Sequence, residues 1–256
     1  TTVEHIPARR ASVLADSLKK IIRIYTRGGY MVNLILMDQE FDKIVDRMDM
    51  AIVNTCVTNE HVTDAERNIR TIKDSTRCSV AEFRRIRVHT LPKQVIIHMV
   101  YLAVFWMNAP PATNGISNVH SPREMVLKRS VDFDLHCRAD FGQYIHAHIE
   151  AEKTNDMKLR TFTALYLGPT GNLQGTVKAW DIRTGCVKKV KKFDVVPMPD
   201  SVIDAVNKWG MKYQKEKKKK MAKFVDRLKR DFAWENDEYD IPEEALTHPE
   251  IDAEFP

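Results

Sequence analysis

Seven residues, MVNLILM (Met31–Met37), constrain the fold most. They are apolar on both alternating faces except at Asn33, and they lie between Gly28-Gly29 and Asp38. A strand that is apolar on both faces needs cover on both faces, which is the habit of a central strand in an α/β sheet. What flanks it agrees. Upstream, ARRASVLADSLKKIIRIYTRGGY carries Val13, Leu14, Leu18, Ile21, Ile22 and Tyr25 at helical spacing and stops at the two glycines. Downstream, DQEFDKIVDRM turns helical, MAIVNT reads as a second short strand, and TTVEHIP at the start reads as a strand or its remnant. Strand and helix alternate, so the class is α/β.

The next helix, within NEHVTDAERNIRTIKDSTR (Asn59–Arg77), has two stripes. Val62, Ala65, Ile69 and Ile72 form an apolar one. Glu66, Arg70, Lys73 and Arg77 form a charged one beside it, and Thr63 or Asp64 can cap the start. Read alone, the charged stripe is a solvated face with Glu66 paired to Arg70, worth about 0.3–0.5 kcal/mol. The sharper reading pairs Glu66 with Asp38, which ends the central strand. Ligands of open α/β sheets sit at the carboxyl ends of strands. Two carboxylates meeting there suit a hard divalent cation such as Mg²⁺, and Arg70, Lys73 and Arg77 beyond them suit a phosphate backbone.

Charge distribution points the same way. Residues 231–256 hold ten acids and no Lys or Arg; of the chain's 40 basic and 35 acidic residues this leaves 40 and 25 in residues 1–230, a surplus of fifteen positive charges. A basic body favours a polyanion, and an acidic, proline-containing tail reads as disordered. The four cysteines (Cys56, Cys78, Cys137, Cys186) include no CxxC pair, so neither a zinc knuckle nor a disulfide framework is indicated; they read as reduced thiols of an intracellular protein. The longest apolar run, Val95–Met107, is broken by His98 and is too short for a bilayer.

After a basic loop (Arg84, Arg85, Arg87), Leu91–Pro111 is apolar nearly all round and predicts a buried helix, with His98 a hydrogen-bonded core histidine. SPREMVLKR predicts a short helix capped by Ser121 with Pro122 in its first position. From Phe141 the pattern alternates: FGQYIHAHIEA, RTFTALYLGP, GTVKAWDI and CVKKVKKFDVVPMP, joined by TGNLQG and RTG. This predicts a small antiparallel β-barrel. His146 and His148 share one strand face without Cys or carboxylate at ligand spacing, and take a structural or surface role. Ser201–Arg230, with KEKKKK, predicts a basic helix.

The stretches LILMDQEFDKIV, VNTCVTNEHVTDAERNIRTIKDSTR, LPKQVIIHMVYLAVFWMNAPP, SPREMVLKR, FGQYIHAHIE, LGPTGNLQGTVKAWDIRTGCVKK and VVPMPDSVIDAVNKWG resemble, in order, the integrase region of copia-type retrotransposon Pol polyproteins. The resemblance covers nearly all of Thr1 to about Met211. It implies an incomplete ribonuclease-H-like core with C-terminal helices over residues 1–135, a small antiparallel β-barrel over 136–200, a basic helix over 201–230 and an acidic disordered tail over 231–256. It also implies an Asp-Asp-Glu triad whose second and third members are Asp38 and Glu66, catalytic and metal-binding, with Glu40 a weaker, structural candidate. The first aspartate lies on a strand upstream of Thr1; Glu4 and Asp16 do not match its context. The implied cofactor is Mg²⁺ or Mn²⁺, weakly held without that aspartate, and no zinc is expected in this chain. The DNA-binding residues expected are Arg70, Lys73, Arg77, Arg84, Arg85, Lys188, Lys189, Lys191 and Lys192.

The resemblance implies an ancestral reaction of Mg-dependent 3′-end processing and strand transfer into target DNA, with no activity expected of this chain alone for want of the first acid. The alternative is a non-catalytic nucleic-acid or chromatin-binding module. A third reading is an interaction protein with KEKKKK as a nuclear-import signal. The partners implied are DNA (element ends and target), the chain itself and other Pol products, with no membrane. The location implied is intracellular: nuclear for function, a cytoplasmic particle before import.

Overall fold

The computed structural model describes residues 1–48, 51–56, 63–113, 115–149, 157 and 159–217, without the side chains of 39, 40, 56, 63, 64 and 215–217. The end of KEKKKK, the rest of the predicted basic helix, the acidic tail, Val62 and the Glu40 side chain therefore lie outside the described residues. Contacts gather Thr1–Tyr213 into one unit and Gln214–Pro256 into another.

Helix α1 (Ala11–Arg27) ends at Gly28 and Gly29, as its sequence requires. Strand β1 (Leu34–Asp38) follows, then a 3-10 run (Gln39–Arg47) in place of an α-helix, then β2 (Ile52–Cys56). β1 and β2 are parallel, with Leu34 opposite Ile52 and Asp38 opposite Cys56. The 3-10 run is the crossover that a parallel pair needs. Leu14, Ala15 and Ile22 of α1 pack with Ile44 and Met48, and against Ile35, Met37 and Val53, on one face of this pair.

The other face departs from expectation. Leu34, Leu36 and Ile52 are 55%, 51% and 72% exposed, so β1 is covered on one side only. TTVEHIP is not a strand. Its backbone is held by α3 (Lys93–Met107): the His5 N–H donates to the Tyr101 hydroxyl at 3.0 Å, and Asn108 Nδ2 donates to the Thr1 carbonyl at 2.6 Å. With its polar groups taken by a helix, this segment pairs with no strand among the described residues.

Helix α2 (Thr63–Arg85) is longer than its apolar stripe suggested. The stripe is not buried where predicted: Ala65 is exposed and Ile69 is 50% exposed. The helix packs through its second half instead, with Thr76 and Phe83 buried and Val80 against the main core. Helix α3 is the expected buried one. Helix α4 (Pro122–Leu127) starts with the expected Ser121 cap in a full capping box with Glu124, and α5 (Phe133–His136) follows.

The β-unit consists of β3 (Tyr144–His148), β4 (Thr161–Pro169), β5 (Val177–Asp181), β6 (Val187–Val190) and β7 (Phe193–Val195), in the order β6-β5-β4-β3-β7, antiparallel throughout. The expected barrel does not close: no ladder joins β6 to β7, and the sheet is open. It is nonetheless strongly curled. A flat five-stranded sheet would hold its edges about 19 Å apart, yet Val190 and Phe193 are three residues apart on opposite edges, a reach of about 10 Å. Its inner face gathers residues of every strand: Ile145, Ala147, Ala164, Tyr166, Val177, Ala179 and Val190, with Phe193. Its outer face carries the row Tyr144–Leu165–Trp180–Val187. That row packs on Phe83 of α2, Val95 and Met99 of α3, and Val202, Ile203 and Val206 of α6 (Asp200–Lys217). No ladder closes the β6–β7 seam, and the helices cover the outer face.

Candidate functional site

Asp38 is the last residue of β1, level with the end of β2, and is exposed. Glu66 stands in the first turn of α2 and is exposed too. Residues 57–62 join β2 to α2 and are outside the described residues. Their reach, at most about 25 Å from Cys56 to Thr63, ties the start of α2 to the strand end that carries Asp38. Both carboxylates are hard oxygen donors, and Mg²⁺ commonly takes one or two carboxylates plus waters and substrate phosphate. Each of the two is a donor of the kind such an ion takes. Among the described residues no group of three or more His, Cys, Asp or Glu side chains is arranged to ligate a metal.

The regular helix turns the sequence stripe into a longer one. Glu66, Arg70, Lys73, Arg77 and Arg84 fall within about 40° of one line along α2 and span about 27 Å. Glu66 is the one acid in that sector; Asp74 and Glu82 lie well to its side. Glu66, Arg70, Arg77 and Arg84 are exposed and Lys73 is half-buried. The cations are partly engaged: Arg77 Nη1 donates to Asp74 Oδ1 at 2.7 Å and Arg85 Nη2 to Glu82 Oε1 at 2.7 Å. Arg85 sits about a quarter turn off the line.

The lysines of the β-unit divide. Lys189, Lys191 and Lys192 are exposed. Lys188 is held: its ammonium donates to Asp181 Oδ2 at 2.7 Å and lies 4.4 Å from the Phe162 ring centre. Asp181 is 1% exposed. Burial by itself would raise its carboxyl, but hydrogen bonds from Lys188, Thr184 and Arg183 hold it below the usual aspartate range. Oδ1 accepts from the backbone N–H of Arg183 at 2.9 Å. This aspartate ties the β5–β6 hairpin, a role that the sequence reading missed. Its signal was there: an acid just ahead of RTG is the residue that accepts from its own turn.

The histidines also divide. His146 Nε2 meets the Tyr144 hydroxyl at 3.2 Å and His148 Nε2 meets Asp194 Oδ2 at 2.9 Å, consistent with structural and surface roles. His98 differs from expectation. It lies in the core region, but its Nδ1 is walled off without a hydrogen-bond partner among the described residues. Burial, helped by the nearby Lys178 charge, pushes its pKa down to about 4. Helix α3 gives its flanks to apolar contacts and brings no polar group to that nitrogen.

Among the described residues no helix is long and apolar enough to cross a membrane. No protein-family model matches the sequence, and a search of curated proteins gives no match.

Proposed function

We propose that the chain is a DNA-binding portion of an integrase of the copia-type retrotransposon class. In this reading it contributes Asp38 and Glu66 to the divalent-cation site and the α2 flank to the DNA backbone. The finer architecture belongs to the same proposal: a ribonuclease-H-like core around β1 and β2, and a barrel-derived β-unit. The observation that carries it is the α2 flank. One carboxylate stands at the helix start, at the loop that follows β2, and cations then run along a single line for about 21 Å. A row of that length matches several phosphates of a duplex.

Magnesium bound at the two carboxylates would supply charge stabilisation for phosphodiester chemistry. The chain's own residues orient and hold: Arg70, Lys73, Arg77 and Arg84 bind the backbone, with Lys189, Lys191 and Lys192 as a second basic group. DNA ends, target DNA, a second copy of the chain and other Pol products are the partners of this reading, and the nucleus its place of action. A second reading, a non-catalytic nucleic-acid module of the same descent, rests on the same α2 flank, whose cations need no metal to hold a phosphate backbone.

Fluorescence anisotropy with a short DNA duplex tests the binding. The full chain binds, and the double variant Arg70→Glu/Arg84→Glu loses at least tenfold in affinity while melting within about 2 °C of wild type. Unchanged affinity in that variant removes the α2 flank from the interface. Strand transfer with Mn²⁺ or Mg²⁺, compared between the chain extended through the strand expected to carry the first aspartate and the same protein with Glu66→Gln, separates the two readings. Metal-dependent activity lost in Glu66→Gln supports the enzyme; no activity in either, with DNA binding intact, leaves the module.

A further inference from the structure

A cavity of about 400 Å³ opens away from both the carboxylates and the α2 flank. Its floor is one face of α3, where His98, Tyr101, Leu102 and Phe105 follow at helical spacing. The end of α1, helix α4 and strands β4 and β5 make the walls. The size is that of a small-molecule site, and the lining is mostly aliphatic and aromatic.

Its charges are one-sided. Among the described residues no Asp or Glu lines it, while Lys178 and Arg123 do. Lys178 enters from β5, on the opposite face from Val177 and Ala179, and its ammonium lies 5.3 Å from the Tyr101 ring centre. Arg123 enters from α4, with its guanidinium carbon 4.8 Å from the Phe105 ring centre. Tyr101 and Phe105 are one helical turn apart, so the two cations stand over rings separated by about 6 Å along α3.

Arg123 is a built feature. Its Nη2 donates to the Gly171 carbonyl at 2.6 Å, and a Cβ at Gly171 would lie 2.2 Å from that same nitrogen. The Nε of Arg123 and the Nδ1 of His98 are both buried without partners among the described residues. Burial lowers the pKa of Lys178, with Lys189 adding to the effect, and no carboxylate offsets it. Lys178 and Arg123 are half-buried, and a cation drawn partly out of water is ordinarily paired, because leaving it unpaired is costly. Among the described residues no carboxylate lines the cavity to make that pair.

We propose that this cavity binds an amphiphilic organic anion: a flat apolar body lying on the Tyr101–Phe105 face, with one carboxylate, sulfonate or phosphate turned to Lys178 and Arg123. The anion supplies the counter-charge, and the apolar walls supply burial. The neutral His98 ring adds a polar edge without adding charge. The site is independent of the DNA-binding reading, since none of its residues belongs to the α2 flank or to the lysines of β6 and its turn.

Two fluorescent probes with closely related bodies test it. 1-Anilinonaphthalene-8-sulfonate carries an anion; N-phenyl-1-naphthylamine has the same rings without it. Titrated against the full chain, the sulfonate binds with one site per chain and at least tenfold more tightly than the neutral probe. Lys178→Met keeps the length of the side chain, removes its charge and weakens the sulfonate at least fivefold, leaving the neutral probe within twofold. Lys178→Gln repeats the comparison with a polar side chain, and each variant is scored only if it melts cooperatively. Equal affinity for the two probes, or sulfonate binding untouched by both replacements, overturns the proposal.

Discussion

His98 shows how much one unsatisfied ring can matter. Its folded pKa of about 4 lies below the ordinary 6.5, because burial and the Lys178 charge disfavour the imidazolium. The unfolded chain therefore binds the proton more readily. Stability that is present above pH 6.5 is lost as the pH falls from 6.5 towards 4, and below 4 the loss stops growing. A shift of this size corresponds to about 3 kcal/mol if the ring were wholly shielded; the ring is only half-buried, so about 2 kcal/mol is expected. Urea unfolding at pH 7 and pH 4 checks it. Wild type loses about 2 kcal/mol more across that interval than His98→Leu, which has nothing to titrate there. Parallel losses in the two proteins would show that His98 is protonated as easily folded as unfolded.

A polar clasp adds to the apolar packing of helix α6. Asn207 Oδ1 accepts from the backbone N–H of His89 at 2.9 Å and of Thr90 at 3.1 Å, and Nδ2 donates to the Arg87 carbonyl at 3.1 Å. Thr90 Oγ1 donates back to the Asn207 carbonyl at 2.9 Å. This holds the turn after α2, where Arg87 adopts the left-handed conformation (φ 65°). Three residues on, Gly210 sits so close that a Cβ would lie 2.5 Å from the Thr90 carbonyl. Ala normally favours a helix by about 1 kcal/mol over Gly, but here the contact is with backbone, and the overpacking cost of about 1–3 kcal/mol wins. Gly210→Ala and Asn207→Ala are each expected to lower the melting temperature by at least about 3 °C, while Lys208→Ala on the exposed side changes it little. Calorimetry decides, and an unchanged or raised midpoint for Gly210→Ala would mean that α6 can shift freely. None of this clasp was legible in the sequence, because its partners are more than a hundred residues apart. What was legible is local: the glycine stop of α1, the all-round apolar α3, the Ser121 cap, the alternation of β3 to β6. Periodicity failed where tertiary cover decides. Ile69 and Leu36 have core-like spacing and, among the described residues, no element over them, and whether β6 meets β7 is set by how the sheet curls, which alternation does not encode. For the site, residue types and order were readable, but which cations are taken up, as Lys188 is by Asp181, required the fold.

Charge acts across the whole chain, and under the proposed DNA binding the salt dependence of the affinity is where its balance can be read. Nine cations were expected to face DNA. Arg77, Arg85 and Lys188 share their charge with Asp74, Glu82 and Asp181, so no more than six of the nine can each release a full counterion. At about 0.9 per phosphate neutralised, four to six contacts give a log–log salt slope of about −3.6 to −5.4. Between 50 and 200 mM salt the affinity then falls by about 10²–10³-fold. A slope shallower than about −2 would leave too few ionic contacts for a duplex lying along α2. The ten acids of residues 231–256 set a second expectation. They are the largest block of acids in the chain, and removing them raises the net positive charge that attracts a polyanion, by an amount that salt screens. Replacing all ten by the matching amides is expected to tighten duplex binding at least threefold at 50 mM and by less at 200 mM. Anisotropy titrations of both proteins at both salt concentrations check this, and a gain that did not shrink with salt would mean that the acids act on something other than the basic surface.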